Sequence, residues 1–158
     1  MADELGRRMA VKVDSSIVQT NFVGHTGADG FKRLSAQAAF DGTVDPDVEY
    51  ILVDDFIGQG GTLANLKGFI ETNGGKVVGA TVLTGKPYSA KIAPSRDQLA
   101  LLRNKHGHEL EDWWQDRFGH TFDCLTQSEA RYLERSADVD TIRDRIVAAE
   151  QARDRGAV

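Results

Sequence analysis

Tyr50, Ile51, Leu52 and Val53 form an unbroken apolar run that ends in two aspartates, Asp54 and Asp55, followed by the glycine-rich stretch Gly58-Gln59-Gly60-Gly61-Thr62. A strand without polar alternation is covered on both faces, which is the condition of a parallel sheet. The spacing predicts that it stops at Asp54, since two adjacent carboxylates are costly to carry into a core. Beyond the glycines, Leu63, Leu66, Phe69 and Ile70 recur at helical spacing, and Asn73-Gly74-Gly75 supplies helix-ending residues. Val77 to Leu83 then reads as a second apolar strand. Strand, loop, helix, strand predicts an α/β fold: a small, mainly parallel twisted sheet flanked by helices.

The flanks are less regular. Glu4 to Met9 predicts a short helix, and Val11 to Val13 and then Ile17 to Val18 predict extended chain. The segment from Asn21 to Gly30, NFVGHTGADG, has the composition of an exposed, mobile loop. Leu34, Ala38 and Ala39 suggest a short helix within Phe31 to Phe40, and DGTVDPDVE is a turn-rich link. After Pro94 the pattern is helical. Ser95 caps a run containing Leu99, Leu101 and Leu102, and Glu109 to Phe118 holds Leu110, Trp113, Trp114 and Phe118. Thr126 with Glu129 fits a capping box, and Asp138 opens a last helix with Ile142, Ile146 and Ala149 on one face. Residues 1–94 are thus expected to form an α/β core, and residues 95–158 a helical extension packed on the same domain.

With 158 residues the chain has the length of one ordinary domain, and no apolar stretch approaches membrane-spanning length. A formal charge of −5 argues against nucleic acid as a partner, and the alternating charges of RDRIVAAEQARDR describe a solvated helix face. Cys124 is the only cysteine and the four histidines are scattered, so neither a disulfide framework nor a zinc site is expected. The charged start MADELGRRMAVKV lacks the apolar run of a secretion signal, and the expected compartment is the cytoplasm.

Chemistry concentrates in the segment ILVDDFIGQGGT. Gly58 to Thr62 offers backbone N–H groups free of side-chain obstruction at the positive end of a helix, which makes an anion cradle. Asp54 and Asp55 lie a few residues away, so the natural ligand is one that carries hydroxyls close to a phosphate. The segment resembles the loop of the type I phosphoribosyltransferase family: apolar strand, two acids, two mostly apolar residues, then a Thr/Gly turn ending in Gly-Gly-Thr. The looser similarity of TNFVGHTGADGFKRLSAQAAFDG to the competence-protein-F-like branch extends the resemblance over about residues 5 to 90.

That resemblance implies binding of phosphoribosyl pyrophosphate with Mg²⁺ and transfer of the phosphoribosyl group to an acceptor, through an oxocarbenium-like transition state stabilised electrostatically. Asp54 and Asp55 would face the ribose hydroxyls, directly or through Mg²⁺, and Gly58, Gln59, Gly60, Gly61 and Thr62 would hold the 5′-phosphate. Lys86 and Tyr88 would meet the acceptor or the pyrophosphate, and His25, Thr26 and Gly27 would belong to a closing loop. The partners expected are this ligand, or ribose 5-phosphate, and a second copy of the chain.

Gly58 stands where many purine enzymes of the family carry an acid, and the family's Arg-Gly or Lys-Gly pyrophosphate loop does not precede the acids. The expected core therefore lacks its first strand, and a non-catalytic module binding the same ligand is the alternative. A dinucleotide-binding reading fails on spacing, because G-x-G-x-x-G is absent.

Overall fold

The computed structural model describes residues 1–21, 23, 30–86 and 91–156. Its architecture is mixed α/β, with two small two-stranded sheets and six helices among the described residues. The order is α1 (Ala2–Met9), β1 (Val18–Gln19), α2 (Gly30–Ser35), β2 (Phe40–Asp41), β3 (Glu49–Ile57), α3 (Gly61–Thr72), β4 (Lys76–Gly85), α4 (Arg96–Phe118), α5 (Gln127–Arg135) and α6 (Val139–Gly156). A 3₁₀ turn, Phe122–Cys124, joins α4 to α5.

The strand–helix–strand unit forms as its pattern predicts, with β3 and β4 parallel. Leu52 pairs with Ala80, Asp54 with Val82 and Phe56 with Thr84, after an irregularity between Tyr50 and Ile51. The strand does not stop at Asp54: it runs on to Ile57. Asp54 is half-buried and Asp55 exposed, so the strand continues without taking either carboxylate fully out of water. The expected single, mainly parallel sheet is corrected to two pairs, because β1 and β2 close an antiparallel ribbon of their own, Val18 opposite Asp41. Residues 11–13 are not in a strand, and α2 is shorter than the span from Phe31 to Phe40, whose last residue begins β2.

Two apolar clusters hold the molecule. Val44, Leu52, Leu63 and Ile70 lie between the parallel pair and α3, with Tyr50, Leu66, Phe69, Val77 and Val82 around them. Twelve residues form the larger cluster, among them Leu102, Leu110, Trp114, Leu125, Leu133 and Ile146. Phe31 and Leu34 of α2 belong to this second cluster, so the first half of the chain contributes to the helical core. Burying a Leu or Ile side chain is worth about 1.5–3 kcal/mol, and the helical cluster is therefore the main source of stability.

Helix caps are local and read as predicted. The Ser95 hydroxyl accepts from the Gln98 N–H, 3.2 Å, and Thr126 and Glu129 form a reciprocal capping box. Gly107 breaks α4, at φ 70° and ψ −179°, a conformation that only glycine takes without strain. Across that break the Arg103 guanidinium donates two hydrogen bonds to the Glu111 carboxylate, each 2.7 Å, and a third to Asp123, 2.6 Å. Glu111 Oε1 also accepts from the backbone N–H of Phe122, 3.1 Å. Replacing Glu111 by Ala leaves the Phe122 N–H and the Arg103 guanidinium without that acceptor. Its expected cost is about 2 kcal/mol, read as a lower urea midpoint at unchanged slope.

Candidate functional site

The turn out of β3 is built from the chain's constraints at Gly60. This residue is buried, has φ 86°, and a Cβ placed on it would stand 3.0 Å from Ile92 Cγ2 and 3.5 Å from Ile57 Cδ1. Its carbonyl accepts from the Ala64 N–H, 2.8 Å, which starts α3. Leu63 and Ala64 are buried and anchor the first turn. Gly60 is the N-cap and offers no side chain to that turn, which also contains no acid. The Lys86 N–H donates to the Ile57 carbonyl, 3.0 Å, so the residue after β4 lies against the end of β3 beside this turn.

Of the residues singled out in the sequence, Asp54, Gly58, Gln59, Gly60, Gly61, Thr62 and Lys86 thus gather at the carboxyl end of the parallel pair. Asp55 is the next residue of the same strand and is exposed, and its carboxyl is near enough to that of Asp54 to help raise the Asp54 pKa. Asp54 Oδ1 accepts from the Asp55 N–H, 2.8 Å. Burial pushes the Asp54 carboxyl above the usual aspartate range, outweighing the lowering by that hydrogen bond. His25, Thr26, Gly27 and Tyr88 lie outside the described residues.

No cluster of three or more His, Cys, Asp or Glu side chains suited to a metal occurs among the described residues. Cys124 is likewise no nucleophile: burial pushes its thiol up to about 11, so it stays protonated at neutral pH.

A second polar group escaped the sequence reading. Asn65 and His120, each 5% exposed, border a cleft of about 310 Å³ whose walls include Phe40, Phe69 and Phe118. Asn65 Oδ1 accepts from the Ala38 N–H, 2.9 Å, and its amide nitrogen donates to Gln37 Oε1 and lies 3.3 Å from His120 Nε2. His120 Nδ1 lies 3.1 Å from the Thr121 carbonyl, so the proton is assigned there and Nε2 is the acceptor. Gly68 makes room for the ring, since a Cβ there would come within 2.9 Å of His120. The partners are 55 residues apart, and nothing near His120 in sequence announces the contact.

Burial holds the His120 pKa below its ordinary value, helped by the nearby Lys67 charge. The native state therefore binds fewer protons than the unfolded chain between the depressed pKa and about 6.5. The contribution is complete above that range and is lost as pH falls through it. Lowering the pH from about 7.5 to 5.5 is expected to reduce the urea midpoint, with a shallower decline in His120→Gln. Equal slopes in the two proteins would refute the assignment of a buried neutral imidazole.

Known proteins place the chain in different company from the loop. It is 43% identical to Protein TraN of Escherichia coli over 149 residues, covering 94% of this chain and 33% of that protein. It is 49% identical over 70 residues to an uncharacterized protein of Haemophilus influenzae, covering 44% of this chain and 16% of that one. The chain thus spans about a third of the length of TraN. No protein-family model matches it, and no solved structure matches it. These findings correct the resemblance drawn from ILVDDFIGQGGT: the relative aligned across nearly the whole chain is TraN, and no phosphoribosyltransferase model matches. Membership of that family, phosphoribosyl transfer and the pyrophosphate ligand are withdrawn with it. The Mg²⁺ expected to arrive on that ligand loses its ground as well.

Proposed function

We propose that this chain is a ligand-binding module of a TraN-like protein, and that its Gly58–Thr62 turn takes a phosphomonoester carrying a hydroxyl. The supporting observation is the start of α3, a helix of twelve residues with a glycine N-cap, no side-chain cap and no acid in its first turn. Helix starts leave N–H groups without intrahelical acceptors, and they favour negative charge by about 0.3–1 kcal/mol. In this chain α4 and α5 satisfy theirs with Ser95 and Thr126. Gly58, Gly60 and Gly61 leave the α3 end open to an anion's approach, and Lys86 adds a positive charge from the adjoining strand.

Asp54 supplies the second half of the recognition. Its carboxylate lies one short turn from the helix start and accepts hydrogen bonds, so it suits a hydroxyl and disfavours a second phosphate. A module that holds a ligand needs no nucleophile or general base. The length of TraN, about three times the matched segment, supports reading this chain as one part of a larger machine. The cytoplasm suits this reading, supported by a single, buried and unpaired thiol. No helix among the described residues is long and apolar enough to cross a membrane.

Calorimetric titration with inorganic phosphate and with glucose 6-phosphate tests the proposal, with a Kd of about 1 mM or tighter expected for the sugar phosphate. Gly58→Asp is the informative variant. Gly58 has ordinary φ, and the nearest atom to a Cβ there is Phe56 Cε1 at 3.7 Å, so the substitution is tolerated sterically. Its carboxylate would occupy the helix start, weakening both ligands at least tenfold, about 1.4 kcal/mol, at unchanged or slightly raised stability. Asp54→Asn is expected to weaken glucose 6-phosphate and spare inorganic phosphate. Absence of binding by the wild-type chain, or affinity unchanged in Gly58→Asp, overturns the proposal.

A further inference from the structure

Strand β4 is ten residues long, and its sequence KVVGATVLTG carries one charge, at its first residue. That charge is taken up within the ribbon, since Lys76 Nζ stands 2.6 Å from Glu49 Oε1. From Val77 to Gly85 there is neither a charge nor a proline. The strand pairs with β3 on one side, and among the described residues no strand lies on the other. Nor is its apolar surface hidden: Leu83 is 73% exposed and Val78 48%. On β3 the outward Ile51 and, at the strand's end, Phe56 are exposed as well.

Soluble proteins guard such edges with charged residues, prolines or very short strands, because a long uncharged edge pairs with any strand that reaches it. The two edges of this ribbon differ in that respect. β3 carries Glu49, Asp54 and Asp55, and a two-fold pairing of β3 with itself would bring like charges together. A two-fold pairing through β4 brings none together along the uncharged stretch. Its outer face offers small residues at Gly79 and Thr81, and a Cβ added at Gly79 would meet nothing within 4 Å, so a neighbouring leucine has room there.

We propose that β4 is the self-association edge of this protein: two copies join their β4 strands antiparallel about a two-fold axis. The sheet then has four strands, β3–β4 from one copy and β4–β3 from the other. The exposed Leu83 comes to lie over the small residues of the partner strand. Antiparallel pairing is the arrangement a two-fold axis imposes on identical edges, and it satisfies the outward-facing N–H and C=O groups of both copies. The Gly58–Thr62 turn opens at one end of each ribbon, so neither ligand turn is consumed by the interface.

Sedimentation velocity on the full chain at about 100 μM reads the outcome directly, with a dimer expected. Thr81→Lys and Leu83→Lys place charges on the edge strand and are expected to give monomers whose far-UV circular dichroism matches the wild type and whose urea midpoint, unlike that of the wild type, does not rise with protein concentration. Ile51→Lys, on the same face but on the other strand, is expected to leave the dimer intact. A wild-type monomer overturns the proposal. A dimer that survives both β4 variants, or one dissociated by Ile51→Lys and not by Thr81→Lys, overturns it equally.

Discussion

Helix α3 is buried on two sides, and the rest of the molecule is arranged around that constraint. Leu63, Ala64 and Ile70 turn one side of it into the core under β3 and β4. Asn65 and Gly68 belong to the opposite contact, where His120 packs against the helix backbone. A helix in that position tolerates little variation in side-chain volume, which is why a small residue and a hydrogen-bonded amide occupy the second side. It also fixes both ends. The start is held by Gly60 against Ile92 and Ile57, and at the other end the Thr72 hydroxyl donates to the Gly119 carbonyl, 3.0 Å.

The helical half supplies the rigidity that this position needs. Arg103 bridges Glu111 and Asp123, joining the two parts of α4 to the 3₁₀ turn. His106 Nε2 approaches the Leu133 carbonyl, 3.0 Å, tying the break in α4 to α5. Lys67 connects α3 to the same region, with its ammonium 2.8 Å from Glu71 Oε2 and 3.3 Å from the Asp123 carbonyl. An exposed ion pair is worth little, but these groups are partly buried and share acceptors, and removing one member strands the others.

What the sequence revealed was local. The apolar run before Asp54, the helix from Leu63 to Ile70, the second strand and the caps at Ser95 and Thr126 each rest on neighbours a few residues apart, and each was legible. The extension of β3 through Phe56 and Ile57 was not, because it depends on pairing with Thr84 and Gly85 across the ribbon. The division into two sheets, the Arg103 bridge and the Asn65–His120 contact are likewise between residues distant in the chain. The glycine turn shows the same limit in function. Its residues state a physical capacity, a helix start without a side-chain cap, but a short segment with that capacity does not name a reaction, and the match to TraN over 149 residues outweighs it.

An acidic chain and the proposed anion-binding turn are not in contradiction once distances are weighed. Charges separated by more than about 8–10 Å in water at physiological salt are largely screened, so the net charge of −5 acts weakly on a ligand seated at α3. The proposed site rests on the groups at this end of the ribbon: the first N–H groups of α3, Lys86 after the adjoining strand and the half-buried Asp54. Asp54 opposes the others, and burial already disfavours its charge. The proposed ligand, with a hydroxyl to donate, would use Asp54 as an acceptor beside a helix start that has no side-chain cap.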